Sequence, residues 1–163
     1  MDRESLPAGS IEAGEAFDKA LIALGLRADG LLWAWDHTIG HFVLVLVTEH
    51  FDHAGPLAIQ RTLFAAYDAS ATPKEISPFV VRLHSPKQTV VGAMMMGQLL
   101  TEDEVPIPDA EFRANTADLT YNSAWVYRWP GYNGAKSGWT RREPTARNRE
   151  WRRFASNVDR LAA

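Results

Sequence analysis

Leu31-Leu32-Trp33-Ala34-Trp35-Asp36-His37-Thr38-Ile39-Gly40-His41-Phe42-Val43-Leu44-Val45-Leu46-Val47-Thr48 is the stretch that decides the fold. Two runs rich in β-branched and aromatic residues flank His37-Thr38-Ile39-Gly40, a connection whose glycine tolerates positive φ. This is a β-hairpin. Its second arm, from His41 to Thr48, is apolar at successive positions instead of alternate ones, which predicts a central strand covered on both faces.

Downstream, Gly55-Pro56 opens a helix, because proline at the first helical position forfeits only an N–H that would be unpaired anyway. Ile59, Leu63 and Tyr67 give its buried stripe, and Pro73 forbids its continuation. Phe79 to His84 reads as a third strand, ended by Pro86. Strand, helix, strand implies a right-handed crossover that sets strand three parallel to strand two.

Upstream, residues 1–9 read as a loose tail. Ser10 is placed to cap a helix over 10–26, with Phe17, Leu21 and Leu24 at helical spacing and Gly25 in its C-terminal cap. Residues 89–100, with Met94, Met95 and Met96, favour a buried helix. Residues 101–117 form an acidic, proline-bearing loop. Leu119 to Trp129 reads as a fourth strand with Tyr121, Trp125, Tyr127 and Trp129 on one face. Thr145 is placed to cap a last helix over 145–161. The expected architecture is a single α+β domain over 10–163. It has a mixed sheet of four to five strands with a β-hairpin, one parallel crossover and about four helices.

The 163 residues include six tryptophans, seven phenylalanines and no cysteine, so disulfides, thiolate metal sites and a cysteine nucleophile are excluded. No apolar run approaches the ~20 residues that cross a bilayer. Met1 to Ser5 is polar and acidic, unlike a secretory signal. The expectation is a cytoplasmic protein without membrane contact.

Charge is unevenly spread. Residues 1–125 carry eight Lys/Arg against 17 Asp/Glu, and residues 126–163 carry nine against three, giving −9 and +6 and the net −3. Such a split has two readings: the basic segment docks on its own acidic body, or it meets an acidic protein or nucleic acid. In the last helix, at about 100° per residue, Trp151, Phe154, Val158 and Leu161 share one side. Arg149, Arg153 and Arg160 share the opposite one. Tyr132, Lys136, Trp139, Arg141 and Arg142 lie just upstream. Cations interleaved with rings suit nucleic acid, with charge for the backbone and π-faces for bases. Arginine forks suit carboxylates equally well.

The expected function is a non-enzymatic binding protein. Tyr132, Lys136, Trp139, Arg141, Arg142, Arg149, Arg153 and Arg160 would form its contact surface for an acidic protein partner or nucleic acid. No cofactor is called for. The alternative is a small enzyme using a divalent metal held by His50, Asp52, His53 and His84 at the C-terminal edge of the sheet, where crossover folds often place ligands. A third possibility is a small-molecule pocket lined by Trp33, Trp35 and the methionine run, residues that otherwise read as core. Gly131 to Gly138 is glycine-rich but lacks the phosphate-loop pattern, since Ala135 stands before Lys136 where glycine is needed. No Gly-x-Ser-x-Gly, His-Glu-x-x-His or Gly-x-Gly-x-x-Gly is present.

Overall fold

A computed structural model describes residues 6–92, 121–129 and 142–163. Within them the chain runs α1 (Ser10–Leu24), β1 (Gly30–Asp36), β2 (His41–Val47), α2 (His50–His53), α3 (Pro56–Asp68), a 3₁₀ turn (Pro78–Val80) and β3 (Val81–His84). Residues 89–92 are helical (α4), and β4 (Tyr121–Arg128) and α5 (Pro144–Ala162) follow.

The four strands form one sheet in the order β3-β2-β1-β4. The hairpin is regular and antiparallel from Gly30↔Val47 to Asp36↔His41. β3 lies parallel to β2, with Leu44 opposite Val81 and Val47 opposite His84. The α+β class, the hairpin and the crossover are therefore as the sequence implies.

β2 is buried on both faces. One face carries Leu31, Trp33, Leu44, Leu46 and Val81, covered by Phe17 and Leu21 of α1, Ile59 and Leu63 of α3, and Phe154 and Val158 of α5. The other carries Leu32, Ala34, Val43, Val45 and Val47, which cluster with Val91 of α4 and with Tyr121 and Trp129.

Several local expectations are corrected. Ser10 does not cap α1: Gly9, at φ 82°, precedes the helix without a side-chain cap. The Ser10 carbonyl instead accepts the Trp33 indole N–H at 2.9 Å. Thr145 lies inside α5, because Pro144 takes the first helical position and Glu143 the position before it. Strand three starts two residues late. Pro78 opens the 3₁₀ turn and Ser77 Oγ accepts the Phe79 N–H at 3.3 Å. Tyr67 leaves the buried stripe of α3, where Ala66 replaces it. Lys74 sits over the Tyr67 ring, 4.2 Å from its centre. Gly25, at φ 103°, does close α1, its N–H bonding to Ile22 O at 3.0 Å and the Leu26 N–H to Leu21 O at 2.9 Å.

The four aromatics of β4 do not share a face. The pairing with β1 slips twice, between Leu31 and Leu32 and between Ala34 and Trp35. Each added residue inverts the alternation. Trp125 and Tyr127 therefore pack with the helix-covered core, and Tyr121 and Trp129 with the opposite one.

Candidate functional site

The basic segment divides into arginines that the molecule uses internally and arginines that it leaves outward. Arg128, at the end of β4, holds Asp18 of α1 through both guanidinium nitrogens, at 2.8 and 2.9 Å. Arg142 is the hub of a denser cluster. It lies 2.8 Å from Asp29, 3.3 Å from Glu49 and 3.2 Å from Glu150, and it donates to the Arg27 carbonyl at 3.4 Å. One guanidinium thereby joins the entry to β1, the β2–α2 junction and α5. Arg142 thus does not contribute to an outward surface as the sequence reading had it, because its hydrogen-bonding fork is already filled by carboxylates of its own chain.

Glu150 reaches the cluster because it lies about 40° from Phe154 on the helix, on the docked side. Besides Arg142 it meets His50 Nε2 at 3.3 Å and the Arg27 N–H at 3.4 Å. His50 is fully buried, its ring against Trp151 at 5.8 Å and its Nδ1 without a partner. The facing carboxylate can only accept, so Nε2 is the donor in this contact. Burial pushes the Glu150 carboxyl up, but the His50 hydrogen bond, Arg142 and the Arg27 N–H together hold it below its ordinary value. Asp29 goes the other way: burial raises it more than Arg142 and the Glu49 N–H lower it. The cluster forms one wall of a cleft of about 570 Å³, with Asp52, His53 and Arg147 also on its lining. Its ion pairs join the entry to β1, the β2–α2 junction and α5, so it works as a clamp between elements.

The outward set is Arg149, Arg152 and Arg153, all exposed and none in an ion pair among the described residues. Arg149 and Arg153 join Arg27 around a hollow of about 350 Å³ between the end of α1 and the first half of α5, with Ile22, Ala146 and the clamped Glu150 also on its lining. Arg160 is exposed and donates to the side-chain carbonyl of Asn157, which itself donates to Leu24 O at 2.8 Å. Phe154 and Val158 anchor the helix as expected, while Leu161 is 55% exposed and not part of the anchor. Tyr132, Lys136, Trp139 and Arg141, together with the 101–117 loop and Met94 to Met96, lie outside the described residues.

The alternative metal ligands do not converge. His84 ends β3 on the sheet face away from α5, where its Nδ1 meets Gln88 and its Nε2 the Tyr121 hydroxyl at 2.9 Å. His50 faces Trp151 and Glu150 on the opposite side, His53 is exposed, and Asp52 accepts from Ser85 at 2.9 Å. His84 follows the alternation of β3 onto the face away from α5, whereas α2 carries His50 toward Trp151 and Glu150. No group of three or more His, Asp or Glu fit to hold a metal occurs among the described residues.

The Arg142 clamp was not found from the sequence. The available signal is Glu150, one of two carboxylates in the arginine-rich helix and the one on the side of its apolar anchors. No family model matches the chain, and no curated protein or solved structure matches it.

Proposed function

We propose that this chain is a non-enzymatic binding protein whose α5 ridge, Arg149, Arg153 and Arg160 with Arg27 and Arg152 beside it, contacts an acidic segment of a protein partner. One observation carries the reading: Asp29, Glu49 and Glu150 are committed to Arg142 and His50, while Arg149, Arg152 and Arg153 are in no ion pair among the described residues. Ile22, 46% exposed, lines the hollow with Arg27, Arg149 and Arg153, and Leu161, 55% exposed, lies on α5. Arginine with exposed aliphatic carbon is a protein-interface composition. Bases would need aromatic platforms, and no exposed ring lines the arginine hollow among the described residues.

The test uses the triple variant Arg149→Glu, Arg153→Glu, Arg160→Glu. A fluorescent peptide of glutamates interspersed with leucines should bind the parent protein and be lost by the variant, with the circular-dichroism spectrum unchanged. Equal binding by both proteins rules this surface out. A single-stranded oligonucleotide that binds better than the peptide, with the steep salt dependence of counterion release, replaces the protein partner by nucleic acid.

A further inference from the structure

Away from α5, at the end of the sheet near the start of α1, Trp33, Trp35, Phe42 and Val80 line a pocket of about 450 Å³ with Glu75 and His41 among its polar groups. Trp33 is a fixed part of the core, its indole N–H held by Ser10 O at 2.9 Å and the Tyr127 hydroxyl at 3.1 Å. Trp35 and Phe42 are only half-buried. They are cross-strand partners in the hairpin register, with ring centres 5.2 Å apart and planes at 73°. They therefore stand as two walls of a corner. His41 is tied to the backbone, its Nδ1 3.0 Å from the Phe42 carbonyl. Glu75 is exposed and has no ion-pair partner among the described residues.

Several aromatic rings around a space, with one uncommitted carboxylate, are the chemistry that holds an organic cation: ring quadrupoles attract the charge and the carboxylate completes it. The ammonium class follows from what the pocket lacks. A primary ammonium needs acceptors for three N–H groups, and the lining offers one anionic acceptor, Glu75, beside Ser10 and a His41 tied to the backbone, against Pro7, Val80 and three aromatic rings. A methylated ammonium has no such requirement. We infer that this aromatic corner is a binding site for a quaternary ammonium head group, carried by a small molecule or by a trimethylated lysine side chain. The site is independent of the arginine ridge.

The test titrates the full chain with choline and with its uncharged analogue, in which tert-butyl replaces trimethylammonium. Binding is followed by the indole N–H resonance that Trp35→Phe removes. Choline should bind about tenfold more tightly than the neutral analogue, since a partly desolvated cation over rings gains on the order of 1–2 kcal/mol. Glu75→Gln, at an exposed position that leaves the fold intact, should weaken choline several-fold and leave the analogue unchanged. Trp35→Ala, followed through the indole N–H of Trp33 on the same pocket lining, should abolish both. A parallel titration with a trimethyl-lysine peptide and its unmethylated form identifies the source: the tighter of choline and the methylated peptide is the natural class. Equal binding of choline and its analogue, or no displacement of the Trp35 resonance by either quaternary ligand, would overturn the assignment.

Discussion

Arg142 shows how one side chain can decide what a charged segment is for. Alone among Asp29, Glu49 and Glu150, its guanidinium neutralises part of a local excess of carboxylates. Arg142→Met should therefore destabilise the protein by about 2–3 kcal/mol, below the 3–5 kcal/mol of a fully buried pair because the cluster is partly in water. The sign of the pH dependence follows from the shifts. Glu150 is held below the unfolded value, so its contribution is present above that value and lost as pH falls through the folded one. Asp29 is raised, so its burial costs stability at neutral pH and that cost is relieved in acid. Urea midpoints should show the variant's deficit to be largest near pH 7 and smaller at pH 4. A deficit that does not change with pH would mean the loss is packing and not charge.

His84 sets a second limb of the pH profile. Burial, the first cause, and Arg82 depress its pKa more than the Gln88 hydrogen bond and Asp36 restore it. With the folded value below the unfolded one, the unfolded chain takes the proton first as pH falls through about 6.5, and stability drops there. His84→Gln should be less stable at pH 7.5, having lost the ring between Gln88 and Tyr121, yet show a flatter decline between pH 7 and 5.5. An unchanged slope in denaturant unfolding would remove His84 from the acid response.

At the scale of elements, α1 meets β4 through a contact that inverts a familiar rule. Alanine usually stabilises a helix relative to glycine by about 0.5–1 kcal/mol. Gly14, buried in α1, lies where an added Cβ would overlap the Tyr127 phenol. That ring has little freedom to retreat, since its hydroxyl donates to Ile11 O at 2.7 Å and accepts from the Trp33 indole. Gly14→Ala should cost about 1–3 kcal/mol, the range of overpacked cores. Thermal denaturation of Gly14→Ala beside Gly14→Ala/Tyr127→Ala checks this, because the double variant should recover the helix preference. A stabilised single variant would show that α1 does not seat on β4 this closely.

For the whole molecule, the arginine ridge should be separable from the fold. Arg149, Arg153 and Arg160 are exposed and hold no carboxylate among the described residues, so the triple reversal to Glu should shift stability by no more than about 1.5 kcal/mol, three surface substitutions at about 0.5 kcal/mol each. Equilibrium unfolding of that variant is the control on which the binding test depends. A loss of several kcal/mol would make the ridge structural.

Among the described residues, the sequence by itself determined the four strands, the three long helices and their order, but neither α2 nor the 3₁₀ turn. Hairpin register follows from the two apolar runs about Gly40, the crossover from Gly55-Pro56 and Pro73, and the closing helix from the Trp151, Phe154 and Val158 spacing, all of them local periodicities and backbone constraints. Tertiary structure alone decided which side chains meet. Two register shifts in β4 reversed half of its aromatics, the phase of Glu150 turned Arg142 inward, and the α2 turn carried His50 to the side opposite His84. Each of these depends on pairing across long sequence separations, where a one-residue slip inverts a face. Such a slip leaves no mark in composition or local period.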